Sequence, residues 1–307
     1  MILRDVKGER YRELPERGMD KASLAKYMQE AASKETKWQK ATISGTVYHS
    51  GQEIREVICD AFKTFIYANP LHPDCFPAVR KMEAEVVQMC VDIFKGGKNA
   101  CGTMTSGGTE SIIMAIKAYR DWAREVKGIM DPEIIKPTTA HAAFDKGCHY
   151  LGVRLVEVPV DPVTCRVKVS AVAKALNRNT IMVVGSAISY PHGVMDDILS
   201  LAELTKKHGC GLHVDNCLGS LLLPFLPSAG YKLPPFDFSV EGVTSLSCDT
   251  HKYGFAPKGS SVILYANQEL RHHQYFVAPD WPGGIYATPS MGGLNSSAPQ
   301  PSSPPAP

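Results

Sequence analysis

The chain has 307 residues, 44% of them hydrophobic and 21% charged, enough for one large core or two modest domains and incompatible with wholesale disorder. Its 33 basic and 31 acidic residues leave a formal net charge of +2, which excludes the strong positive field that would favour nucleic acid as a partner. Nine cysteines without a C-x-x-C pair fit reduced thiols in a cytosol-facing protein better than a disulfide framework or a zinc site, and no metal is expected.

The N-terminus, Met1-Ile2-Leu3-Arg4-Asp5-Val6-Lys7, is charged from the outset and lacks the apolar run of a signal peptide. Residues 1–50 read as an N-terminal arm, with a short helix opening after Asp20 as N-cap. Ile54, Val57, Ile58, Phe62, Phe65 and Ile66 then fall at helical spacing, and that segment stops at Asn69-Pro70. Pro77 opens the next helix, with Val79, Met82, Val86, Met89, Cys90 and Ile93 on its apolar face. A third helix runs from about Thr109 to Val126. All three stripes are expected to face a core.

From Ile134 onward, short β-branched runs alternate with helical ones. Strands are expected at 153–158, 180–184, 211–214, 245–248 and 261–265, and helices at about 142–150, 170–177 and 196–208. Continuous apolar strands alternating with helices predict an α/β fold with a mostly parallel sheet covered on both faces, whose ligands sit beyond the strand C-terminal ends. The longest apolar runs, such as 221–226, fall short of the roughly 20 residues of a membrane helix, so no membrane segment is expected. Residues 51–293 form the expected large domain. Residues 294–307 hold five prolines in the last nine positions, too little apolar material to fold, and are expected to be a disordered tail.

Four segments carry chemistry at those strand ends. In Thr103-Met104-Thr105-Ser106-Gly107-Gly108-Thr109-Glu110, Gly107, Gly108 and Thr109 open a helix whose free N–H groups suit a phosphate. It is not a Walker loop, which requires G-x-x-x-x-G-K-[ST]. In His213-Val214-Asp215-Asn216-Cys217, Asp215 ends a strand, where it could keep a pyridinium nitrogen protonated or simply cap the next helix. His141, among small residues, could stack on a planar ring or serve a structural role. In Asp249-Thr250-His251-Lys252, the lysine sits in a tight turn, and Schiff-base chemistry requires partial desolvation and cationic company, which His251 and Lys258 are expected to supply.

In the order phosphate loop, stacking His, pyridine Asp and Schiff-base Lys, these residues resemble the fold type I pyridoxal phosphate enzymes, in their group II decarboxylase branch. Further strings resemble the sphingosine-1-phosphate lyases across about residues 35–293: Ser44-Gly45-Thr46-Val47-Tyr48, Asn69-Pro70-Leu71-His72-Pro73-Asp74, Pro191-His192-Gly193-Val194, His251-Lys252-Tyr253-Gly254 and Trp281-Pro282-Gly283-Gly284-Ile285-Tyr286. The resemblance implies pyridoxal 5′-phosphate as cofactor and a seven-stranded type of sheet. It also implies retro-aldol cleavage of a phosphorylated sphingoid base to a long-chain aldehyde and phosphoethanolamine. By the same resemblance Lys252, Asp215 and His141 are catalytic, and Gly107, Gly108, Thr109 and His251 join them in holding the cofactor. Tyr48, His72 and Lys258 would hold the substrate phosphate. A homodimer with its site at the subunit interface is implied, and for eukaryotic members an endoplasmic reticulum membrane location through an anchor not found in this chain. The family pattern differs at Asn216, where it has alanine, at Gly219-Ser220, where it has Gly-Gly, and at Ser186-Ala187-Ile188-Ser189-Tyr190, where it has Thr-Pro. After Ser290 the family continues into a C-terminal small domain, and here the expected tail follows. An amino-acid decarboxylase of the same branch and a catalytically silent form that pairs with full-length subunits are the alternatives.

Overall fold

The computed structural model describes residues 10–40, 43 and 45–292. Ser44 and the expected tail at 294–307 lie outside the described residues. The chain divides into two compact units, 1–47 and 48–307. The first carries α1 (Lys21–Ser33), opened by Asp20, whose carboxylate accepts the N–H groups of Ala22 and Ser23 at 2.9 and 3.0 Å.

The second unit runs α2 (Gln52–Phe65), α3 (Pro77–Ile93), β1 (Cys101–Thr105), α4 (Gly108–Lys127), β2 (Glu133–Pro137), α5 (Ala143–Leu151) and β3 (Arg154–Val158). It continues with α6 (Val169–Ala175), β4 (Thr180–Ser186), α7 (Ile198–His208), β5 (Gly211–Asp215), β6 (Val243–Cys248), β7 (Ser261–Tyr265), α8 (Gln268–His272) and the small hairpin β8 (Phe276–Ala278) with β9 (Tyr286–Thr288). The main sheet has seven strands in the order β1-β7-β6-β5-β4-β2-β3. β2 to β6 run parallel, while β7 lies antiparallel between β1 and β6.

Every residue of β2, β4, β5 and β7 is buried, which is why β4 and β7 read as largely apolar runs rather than as alternation; β2 carries the buried Glu133 and Lys136 and does not read that way. Their side chains still alternate between two cores. Val183, Leu212, Val214, Leu246, Val262 and Leu264 meet α3, α6 and α7 on one face. Met182, Val184, Ile263 and Tyr265 meet α4 and α5 on the other. The expected strands and helices are all present. β1, β2, β8, β9 and α8 are additional, and β1 lies inside what reads in sequence as a small-residue loop.

Two expected stripes are corrected. On α3 the buried residues are Val87, Cys90 and Val91, while Met82 and Met89 are exposed, because the helix settles on β1 and β7 along a line rotated from the one its methionines mark. On α2 no residue is buried: Ile54, Val57, Phe62, Phe65 and Ile66 are all exposed. Its apolar face meets no core among the described residues. Of the nine cysteines, Cys90, Cys101, Cys148, Cys210, Cys217 and Cys248 are buried, as suits small apolar residues. Among the described residues no helix is long and apolar enough to cross a membrane.

A polar network fixes the middle of the sheet. His213 on β5 meets the hydroxyls of Ser245 at 2.7 Å and Ser247 at 3.3 Å, and Tyr119 on α4 meets Ser245 at 2.8 Å. Burial pushes His213 down to about 4, so its ring is neutral at physiological pH. Phe144 of α5 packs edge-on against that ring, with centroids 5.8 Å apart.

Candidate active site

Because β1 and β6 both run opposite to β7, their C-terminal ends flank its start: Thr105 pairs with Ser261 and Cys248 with Val262. Asp215, at the end of β5, pairs in register with Ser247. The sheet thus brings together the glycine loop after β1, the acid at the end of β5 and the lysine turn after β6. Between them lies a cavity of about 320 Å³, within the range of small-molecule sites.

The cavity's anion end is the loop. Gly107 has φ 150°, a value only glycine adopts freely, and it leads into α4 without a side-chain cap. The first N–H groups of a 20-residue helix therefore remain available. Gly108 is required by contact as well: a Cβ there would stand 2.7 and 2.8 Å from the two Asp249 carboxylate oxygens and 2.9 Å from Cys217 Sγ. The loop is braced from behind. Glu110 accepts the Ser106 N–H at 2.6 Å and the Met291 N–H at 2.6 Å, and the Thr105, Ser111 and Ser261 hydroxyls form a chain at 2.7 and 2.8 Å.

His141 lines the cavity from the entry to α5. Its Nδ1 accepts the Ala143 N–H at 3.0 Å, which fixes the ring's orientation. Asp215 is buried, and its Oδ1 accepts the Cys217 N–H at 3.0 Å and the Ser247 hydroxyl at 3.4 Å. It is not itself on the cavity wall, whereas Cys217 is.

Lys252 and His251 both line the cavity. The company of Lys252 differs from the sequence expectation. Its Nζ stands 2.8 Å from Asp249 Oδ2. Burial alone would lower this amine, but the carboxylates of Asp249 and Asp215 outweigh it and hold the group above its usual range. His251 is turned aside: Nδ1 donates to the Ser260 carbonyl at 2.6 Å, and Nε2 lies 3.8 Å from Asp249. The dominant charged neighbour of the lysine is an acid. Asp249 stands three residues before the lysine, and sequence reasoning gave it no role; the signal was present, since residues three apart in a tight turn share a side. Cys217, also on the cavity wall, likewise has no role assigned by the sequence patterns.

Two of the three proposed phosphate ligands are brought together. Lys258 Nζ sits 4.9 Å above the Tyr48 ring, and Tyr48 packs edge-on against Tyr253, centroids 5.1 Å apart. The Tyr48 hydroxyl is buried without a hydrogen-bond partner. Burial, then the like charge of Lys252, lowers the Lys258 amine. His72 is not part of this group. It is exposed in the turn before α3, with its carbonyl accepting the Cys75 N–H at 3.0 Å.

The departures at 216 and 220 form a clasp. Asn216 Nδ2 donates to the Ser220 carbonyl at 3.1 Å, and the Ser220 hydroxyl donates to the Asp249 carbonyl. The two residues thereby tie the end of β5 to the lysine turn. Gly219 fits between, where a Cβ would stand 2.3 Å from the Ala187 carbonyl.

The fold is shared with a known enzyme. A sphingosine-1-phosphate lyase of Burkholderia pseudomallei superposes with a TM-score of 0.90 at 40% identity, over 94% of this chain and 69% of that one. The family model for the pyridoxal-dependent decarboxylase conserved domain matches residues 13–283. The chain belongs to the pyridoxal-dependent decarboxylase family, in its sphingosine-1-phosphate lyase branch. Sphingosine-1-phosphate lyases of Drosophila melanogaster and Saccharomyces cerevisiae are 50% and 51% identical to this family member, over 91% and 86% of its length. It spans 52% and 45% of those proteins, about half the length of the curated relatives it matches. A glutamate decarboxylase of Lactobacillus brevis, 20% identical with a TM-score of 0.78, shares the fold.

The cofactor of this family is pyridoxal 5′-phosphate, and the observed residues fit it. An uncapped helix N-terminus suits its phosphate, and the Gly108 backbone lies too close to the far wall for any side chain to intervene. A lysine on the same wall supplies the amine an aldehyde requires.

Proposed function

We propose that this chain carries the cofactor site of a carbon–carbon lyase that cleaves a phosphorylated sphingoid base to a long-chain aldehyde and phosphoethanolamine. The observation that carries the reading is Lys252 on one wall of a cavity whose other end is the uncapped N-terminus of α4. When bound there, pyridoxal phosphate supplies an electron sink for the negative charge left at the substrate's C2. Lys252 anchors it through Nζ. Gly107, Gly108 and Thr109 would hold its phosphate through backbone N–H groups, and His141, on the cavity wall, would face its ring. Asp215, ordered by Ser247 and the Cys217 N–H behind that wall, would keep the ring nitrogen protonated.

A phosphorylated substrate needs a second anion site, and Tyr48 with Lys258 provides it. The phenol has an unsatisfied hydroxyl and the ammonium already rests on its ring, so an arriving phosphate gains one donor from each. His72 joins this site only from a second subunit, which agrees with its exposed position and with a homodimer whose site lies at the interface. The exposed apolar face of α2 suits that dimer. Val57→Asp with Phe62→Asp, both on that face, is expected to convert a dimer to monomer in analytical ultracentrifugation; dimerisation unchanged in the double variant contradicts this placement. For a eukaryotic member, the resemblance supports a cytosol-facing site at the endoplasmic reticulum membrane.

Product analysis tests the reading. The cofactor-loaded protein given sphinganine 1-phosphate should release a long-chain aldehyde, and given amino acids it should release no carbon dioxide. Carbon dioxide release without aldehyde would favour the decarboxylase alternative, and no turnover of either would contradict both. Lys258→Ala should raise the KM for the phosphorylated base by about 10-fold to 100-fold, the loss of one charge-assisted contact of about 1.5–3 kcal/mol.

A further inference from the structure

Asp249 is 2% exposed, and its two carboxylate oxygens have different surroundings. Oδ2 holds Lys252 Nζ at 2.8 Å, while Oδ1 has no hydrogen-bond partner. Both oxygens face Gly108, where a Cβ would stand 2.7 and 2.8 Å from them, at the uncapped N-terminus of α4. A carboxylate in that position opposes loading twice over. It keeps the lysine amine protonated, so its lone pair is blocked, and it repels a phosphate entering the loop.

A single proton transfer removes both obstacles. We propose that Asp249 is the internal acceptor of the Lys252 ammonium proton, and that this transfer couples anion entry at the 106–109 loop to release of the amine for bonding to pyridoxal phosphate. The proposal rests on the cofactor reading above. Paired, Nζ carries three protons. One passes to Asp249. The Nζ lone pair then forms the bond to the aldehyde carbon, the carbon–oxygen bond breaks, and the remaining two protons leave with that oxygen as water. No oxidant or further reactant is needed. The neutral carboxyl has lost its repulsion, and its O–H can donate to the phosphate held by Gly108 and Thr109.

The neighbouring groups leave Asp249 as the acceptor. Asp215 is engaged by the Cys217 N–H and Ser247. Glu110 is engaged by two backbone N–H groups. Burial raises the Cys217 and Cys248 thiols well above their usual range, so both are protonated. The His251 Nδ1 donates to the Ser260 carbonyl, and its Nε2 lies 3.8 Å from Asp249, beyond hydrogen-bond reach. Lys258 and Tyr48 sense the Asp249 charge from the Tyr48 side, without direct contact with it.

Internal transfer leaves the total number of bound protons unchanged, so loading should be independent of pH, whereas transfer to solvent makes it rise with pH. The test mixes the cofactor-free 307-residue protein with pyridoxal phosphate and follows the visible band by stopped flow. The wild-type rate should vary by less than about twofold from about pH 7 to pH 8.5, while in Asp249→Asn the ratio of variant to wild-type rate should climb by up to about tenfold per pH unit. Taking the ratio cancels ionisation of the free reagent. Asp249→Glu, which keeps a carboxylate, should restore the flat profile. Inorganic phosphate should raise the melting temperature of Asp249→Asn more than that of wild type. A wild-type rate as steep in pH as the variant's overturns the proposal, as does equal stabilisation by phosphate. If Asp249→Asn does not fold, the wild-type profile alone decides. A wild-type protein that develops no band overturns the cofactor reading and this inference with it, whereas a band with a steep profile overturns this inference alone.

Discussion

Lys252→Ala is expected to develop no visible band with pyridoxal phosphate and to lose turnover to background, while still binding the cofactor weakly. The band reports a carbon–nitrogen double bond conjugated with the ring, and among the described residues Lys252 is the sole lysine on the cavity wall. Alanine removes the bond and leaves the loop of Gly107, Gly108 and Thr109 to hold phosphate, so dialysis should strip the cofactor far faster than from wild type. Lys258→Ala is the control, because that amine stands over Tyr48, where we propose that the substrate phosphate binds. It should keep the band. An unchanged spectrum in Lys252→Ala, or loss of the band in Lys258→Ala, would reverse the two assignments.

Phe144→Ala should cost about 3–5 kcal/mol, the range for truncating a fully buried aromatic. Phe144 is 0% exposed and closes the core formed by α4 and α5 beneath the sheet. It also packs on His213, which Ser245 and Ser247 hold and burial keeps neutral. The vacated space would let the ring tilt and loosen the link between β5 and β6. Against a total stability of roughly 5–15 kcal/mol the loss is large, so the urea midpoint should fall steeply. Cofactor loading should suffer too, since the Phe144 N–H donates to the His141 carbonyl at 3.1 Å and helps hold His141 on the cavity wall. A variant with an unchanged urea midpoint would show that the surrounding side chains refill the gap.

Much of the sheet was legible because strands buried on both faces are apolar along most of their length, as in the parallel Thr180–Ser186 and the antiparallel Ser261–Tyr265. β1 was not, since Cys101-Gly102-Thr103-Met104-Thr105 holds a glycine and two threonines, and only its neighbours explain why. Gly102 is flat against β7, where a Cβ would stand 2.6 Å from the Ile263 carbonyl. The α2 stripe was legible as a stripe, but a periodic pattern says that a face is apolar and not what covers it. In the site, the glycine loop, His141, Lys252 and His251 were placed by residue type and order. The charge state around Lys252 was misjudged because it depends on rotamers: His251 turns toward Ser260 and leaves Asp249 as the partner. His72 was grouped with Tyr48 by resemblance, and a single chain does not bring them together.

We propose Lys252, and no other lysine, as the covalent anchor of pyridoxal phosphate in the cavity between the 106–109 loop and the turn after β6. Borohydride reduction of the cofactor-loaded protein followed by peptide mapping tests it most directly, because reduction makes the bond permanent. The pyridoxyl mass should appear on the peptide containing Lys252 and vanish in Lys252→Ala. Its appearance on Lys258, or spread over many surface lysines with Lys252 unmodified, would contradict the account.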